Sequence, residues 1–162
     1  MVFEMYTLKK LSVLALKLNS KIVSAESCTA GLLSASLTEI PGSSAFFDQG
    51  YITYSNLSKI SVLGVEKKIL KKYGAVSEQV AKQMAEGALK RSNSTIAISI
   101  TGIAGPGGSD FKPEGLVCFA VTKKNGKTRT KNMEYGPLGR SKVRSSAVKT
   151  ALNLLFEEMS VI

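Results

Sequence analysis

The sequence predicts a three-layer α/β/α domain with a mixed, mostly parallel sheet and one C-terminal β-hairpin. Three observations predict it. Residues 95–104, "TIAISITGIA", form a nearly continuous apolar and β-branched run, as expected of a strand covered on both faces. Helical and strand-like segments alternate along the chain, which favours crossover connections. Asn125-Gly126 interrupts the stretch from Gly115 to Tyr135 and offers the positive φ angles of a two-residue hairpin turn. The 162 residues, 44% of them hydrophobic, can bury a substantial core, so residues 1–162 are expected to form a single domain.

In chain order, a helix is expected over about residues 4–19, because Leu8, Leu11, Leu14, Ala15 and Leu18 recur at helical spacing. "KIVSAE" is a short strand. A helix then runs through "AGLLSASLTEI" and stops before Pro41. "SAFFDQGYITYS" is aromatic and β-branched, one bent strand or two joined near Gly50. Residues 56–73 are mostly helical with a break near Gly64. Ser77 caps a helix reaching about Lys90, with Glu78 favourably placed in its first turn. The last helix, about 139–158, buries Val143, Ala147, Val148, Ala151, Leu152 and Leu155 along one stripe.

Composition narrows the chemistry. There is no histidine, which removes Ser-His-Asp and Cys-His catalysis together with the commonest general base and metal ligand. The carboxylates are scattered, so no metal site is expected. Two cysteines, without CxxC spacing, imply no disulfide framework. No apolar run is long enough to span a membrane, and the N-terminus has no signal-peptide pattern, so a cytoplasmic protein is expected. The net charge of +10 suggests an anionic partner. Nucleic acid is disfavoured, because the lysines are dispersed and form no stripe interleaved with aromatics.

Residues 25–31, "AESCTAG", place three small polar side chains where a strand meets a helix. Ligands commonly sit at such turns in α/β sheets, and the unpaired N–H groups of the helix face them. Ser27 there can be a nucleophile with N–H groups holding the oxyanion, or Ser27 or Thr29 can simply cap the helix. Cys28 is a rival nucleophile, since a helix N-terminus can lower a thiol pKa. In "YITYSNLSK", Tyr54 and Lys59 can supply the missing base: placed together and partly desolvated, a phenol and an amine shift one another's pKa. Taken singly, each is more simply structural, Tyr54 in the core and Lys59 one of many solvated lysines.

"ITGIAGPGGSD" follows the most buried strand. Its glycines allow backbone to approach a ligand, but the spacing is neither GxGxxG nor a P-loop. "GRSKVR" puts Arg140, Lys142 and Arg144 at a helix N-terminus, against the macrodipole. That is reasonable if an anion docks there, and surface charge is the alternative.

The stretches "AESCTAG", "PGSSAFFDQGYITYSNLSK", "GAVSEQVAKQMAEGAL" and "ITGIAGPGG" resemble the C-terminal domain of CinA over about residues 5–157. The resemblance implies a nicotinamide-nucleotide amidohydrolase. Such an enzyme hydrolyses the carboxamide of nicotinamide mononucleotide, giving nicotinate mononucleotide and ammonia without a cofactor. It maps the family's serine–tyrosine–lysine set onto Ser27, Tyr54 and Lys59. Substrate contacts are implied for Cys28, Thr29, Gly31, Ser43, Ser44, Thr101, Gly102, Gly105, Arg140 and Arg144. It also implies a standalone form, lacking the molybdopterin-binding-like domain of larger members, and a homo-oligomer, with a dimer favoured. One departure stands out: Ala30 replaces the first glycine of the family's AESCTGG. A catalytically silent nucleotide-binding or interaction module of the same fold is the alternative.

Overall fold

In the computed structural model the described residues run from 2 to 161, with side chains from Met5 onward; Met1 and Ile162 lie outside them. The elements are α1 (Val2–Lys17), β1 (Ile22–Glu26), α2 (Leu32–Leu37), a 3₁₀ turn (Ser43–Ala45), β2 (Phe47–Ile52), α3 (Asn56–Leu63), α4 (Lys67–Tyr73), α5 (Glu78–Lys90), β3 (Ile96–Gly102), β4 (Leu116–Lys123), β5 (Arg129–Glu134) and α6 (Arg140–Ser160). The sheet order is β2-β1-β3-β4-β5. β2, β1 and β3 pair in parallel, while β3–β4 and β4–β5 are antiparallel. Only β4 therefore runs against the rest, and the sheet is open and mixed.

Strand periodicity sorts the core into two layers. Ile96, Ile98 and Ile100 of β3, with Val117, Phe119 and Val121 of β4, pack beneath α1, α2 and α6. The alternate positions, Ala97, Cys118 and Ala120, face α3, α4 and α5. Small side chains on that second face let α5 lie close, and the Ser99 hydroxyl donates to the Ala81 carbonyl at 2.6 Å. Gly87 of α5 sits against the Leu63 carbonyl, where a Cβ would collide. Among the described residues no helix is long and apolar enough to cross a membrane.

Several boundaries differ from expectation, each for a local reason. α1 ends at Lys17, leaving Leu18 exposed. α2 begins only at Leu32, because Ala30 (φ 47°) and Gly31 (φ 98°) are left-handed. Gly50 lies inside one continuous strand, β2, where Ser24 and Ser34 leave no room for a side chain. The hairpin turn is not the two-residue form. Asn125 has a positive φ of 63°, but Gly126 does not, and the Gly126 N–H closes onto the Lys123 carbonyl at 2.9 Å in a longer loop. Ser77 does cap α5, accepting from the Val80 N–H at 3.3 Å.

The left-handed Ala30 strains the turn, since an L-residue there costs more than glycine. Ala30→Gly is expected to raise the unfolding free energy by about 1 kcal/mol, measured by urea denaturation.

Candidate active site

Ser27 directly follows β1, and its N–H donates to the Ile100 carbonyl of β3 at 2.9 Å. This fixes it at the carboxyl edge of the sheet, where α/β ligands gather. Lys59 reaches it from α3, whose N-cap Ser55 accepts from the Ser58 N–H at 3.0 Å. The Lys59 side chain is 1% exposed, and Nζ lies 2.9 Å from Ser27 Oγ, 2.8 Å from the Thr53 carbonyl and 3.1 Å from the Tyr54 carbonyl. Burial lowers its pKa from 10.5 to about 8.

The protonation state decides what this arrangement can do. As an ammonium, Lys59 donates to all three oxygens. As a free amine it has two hydrogens and one lone pair, and the two carbonyls can only accept. The hydrogens therefore go to Thr53 and Tyr54, and the lone pair is left for the Ser27 hydroxyl proton. Ser27, Cys28, Tyr54, Lys59, Thr101, Gly102 and Arg140 share the wall of a cavity of about 210 Å³. A broader cleft of about 530 Å³ adjoins it through Ala75 and Val76, but holds none of the predicted site residues.

Tyr54 departs from the expected pairing with the lysine amine. Its carbonyl, not its phenol, touches Lys59. The phenol is exposed and accepts from Arg140 Nη2 at 3.1 Å, while Arg140 Nη1 donates to the Gly105 carbonyl at 3.1 Å. Cys28 lines the cavity, yet burial pushes its thiol up to about 11, so it stays protonated near neutrality. Thr29 is fully buried, and its Oγ1 has no hydrogen-bond partner among the described residues. The Thr101 hydroxyl donates to the Ala75 carbonyl at 2.8 Å.

Four of the residues expected to contact substrate lie away from this cavity. Ser43 and Ser44 precede β2, and β1 pairs in parallel from Ile22 with Phe47 to Glu26 with Ile52. They therefore sit at the amino edge of the sheet, the opposite end from Ser27. Gly31 is not part of the cavity wall, and its N–H donates to Glu26 Oε2 at 3.0 Å. Arg144 does not line the cavity. Its Nε donates to the Cys28 carbonyl and its Nη2 to the Thr29 carbonyl, each at 3.1 Å.

Glu26 was missed from sequence. It is fully buried, accepting from the N–H groups of Gly31, Leu33 and Ser34 at 2.9–3.1 Å and from the Ser34 hydroxyl at 2.7 Å. The N-terminus of α2, expected to face a ligand, is thus filled by the protein's own carboxylate. The available signal was that α2 has no acid in its first turn, while an acid ends the preceding strand. Glu114 serves similarly at α6, accepting from the Gly139 N–H at 3.2 Å and the Gly107 N–H at 2.6 Å. Glu26→Ala leaves buried N–H donors unpaired and is expected to lower stability by about 3 kcal/mol, read from thermal or denaturant unfolding.

Among the described residues, no group of three or more His, Cys, Asp or Glu side chains is placed to hold a metal ion.

A family model described as the CinA C-terminal domain matches residues 6–159. A putative competence-damage inducible protein of Caldicellulosiruptor saccharolyticus is 50% identical over 137 residues, covering 83% of this chain and 33% of the relative. A CinA-like protein of Akkermansia muciniphila is 47% identical over 133 residues, covering 82% and 32%. The chain thus spans about a third of the length of these curated relatives. Among solved structures, the competence/damage inducible protein CihA from Agrobacterium tumefaciens superposes with a TM-score of 0.90 at 45% identity, covering 95% of this chain and 93% of that one. The competence damage-inducible protein A (ComA) from Klebsiella pneumoniae gives 0.93 at 34% identity, covering 98% of each.

Proposed function

This chain belongs to the CinA C-terminal domain family, and from its site we propose that it hydrolyses the carboxamide of nicotinamide mononucleotide through a Ser27–Lys59 pair. The observation that carries this reading is the buried 2.9 Å contact between Ser27 Oγ and a lysine whose pKa burial has lowered to about 8. It is a nucleophile with its base, in a chain that has no histidine.

The free amine of Lys59 takes the Ser27 proton as Oγ attacks the amide carbon. The N–H of Cys28 receives the oxyanion; among the described residues it meets only its own thiol, and it belongs to a cavity residue. The tetrahedral intermediate collapses, Lys59 returns the proton to the departing nitrogen, and ammonia leaves a nicotinoyl ester on Ser27. Water, deprotonated by the same amine, cleaves that ester to the carboxylate and restores the serine hydroxyl. Arg140 and the Tyr54 phenol, both exposed at the cavity, grip ribose and phosphate. The substitution at position 30 does not intrude: Ala30 is exposed and is not part of the cavity wall.

The test is to incubate the purified protein with nicotinamide mononucleotide and measure ammonia and nicotinate mononucleotide. Binding without release of either product would instead favour a silent nucleotide-binding module.

A further inference from the structure

We propose that Arg144 is a positioning residue for the Ser27 turn, holding the Cys28 and Thr29 carbonyls so that the Ser27 hydroxyl and the Cys28 N–H keep their places at the cavity. This rests on the amide-hydrolysing function proposed above. Every carbonyl of the turn between Ser27 and Thr29 has a partner. Ser27 O accepts from the Ala30 N–H at 3.1 Å, and Thr29 O accepts from the Leu32 N–H at 3.1 Å and from Arg144. Cys28 O is held by Arg144 alone. The Thr29 N–H makes no hydrogen bond among the described residues, and the Cys28 N–H meets only its own thiol.

A trans peptide is planar, with its C=O and N–H pointing in opposite directions. Fixing the Cys28 carbonyl on the α6 side therefore turns the Thr29 N–H away from α6. The Ala30 bond to Ser27 O fixes the Cys28 N–H in the same way. Without Arg144 the Cys28–Thr29 plane has no anchor.

Charge does not add to this: at the Cys28 thiol the buried Glu26 carboxylate acts in the opposite sense to Arg144, and more strongly. The guanidinium fork spans two successive carbonyls, which an ammonium cannot do in the same geometry.

The full chain carrying Arg144→Met is expected to lose about 100-fold in kcat on nicotinamide mononucleotide and equally on phosphate-free nicotinamide riboside, with KM changed less than about threefold. Arg144→Lys should recover only part of the loss, because it keeps the charge without the fork. A KM increase confined to the mononucleotide would make Arg144 a phosphate ligand and overturn the proposal, as would an unchanged kcat.

A substrate-independent measurement separates this from the function itself. A fluorophosphonate label reacts as the Ser27 Oγ–P bond forms and the P–F bond breaks; the serine proton passes to Lys59 and fluoride leaves. Slower labelling in either Arg144 variant, with circular dichroism matching the parent, supports the positioning role. Equal labelling rates refute it. A parent chain that labels at Ser27 yet deamidates neither compound refutes the proposed substrate, and the labelling rates still decide the role of Arg144. If Arg144→Met does not fold, Arg144→Lys alone carries the test.

Discussion

Ser27→Ala is expected to cut amide hydrolysis at least 10³-fold, to about the rate that binding and oxyanion contacts alone support. The physical reason is that, among the described residues, Ser27 is the side chain in hydrogen-bond contact with the Lys59 amine. Cys28 is the only neighbouring thiol on the wall, and burial holds its pKa at about 11, so it carries almost no thiolate near neutral pH. Cys28→Ala should therefore keep most of the activity, since the backbone N–H it supplies survives the substitution. Ammonia release by the two variants, assayed side by side with folding checked by circular dichroism, decides the matter. Activity retained by Ser27→Ala and lost by Cys28→Ala would move the nucleophile to the cysteine and dismantle the mechanism.

Lys59→Met is expected to abolish turnover to a similar extent, because Ser27 then has no partner for its proton. In the parent chain, kcat/KM should rise with pH and level off above about 8, where Lys59 becomes the free amine. The same group leaves a mark on stability. Its folded pKa is lowered, so the unfolded chain binds the proton more tightly between about 8 and 10.5. Its contribution to stability must then increase as pH rises through that window, and below it the burial penalty is felt in full. Denaturation midpoints from pH 7 to 10 on parent and Lys59→Met give the comparison, with the parent expected to gain on the variant as pH rises, since the buried thiols Cys28 and Cys118 oppose the trend in both. A rate profile that is flat across pH 8 would remove Lys59 from the role of base.

Glutamates at two helix starts show how far sequence patterns reach. Free N–H groups at the start of α2 and basic residues at the start of α6 both suggest places for a substrate anion. In the fold, Glu26 fills the first and Glu114 takes a donor at the second. Neither carboxylate stands within the helix it serves: Glu26 ends the strand before α2, and Glu114 lies 25 positions before Gly139, beyond any local window. Arg144 is a similar case. Its position one turn after Arg140 suggests a second phosphate ligand, yet it lies beneath the turn and holds the carbonyls there.

The sequence by itself determined the layer architecture, because periodicity sets which face of each strand and helix is apolar, and burial follows from that. It also determined the chemical alternatives, since a chain without histidine must draw its base from another residue type. Which lysine is dry, and that it meets Ser27 across 32 positions, was decided only by the tertiary structure. Desolvation depends on everything packed around a group, and a pKa near 8 instead of 10.5 is a property of that surrounding and not of the residue.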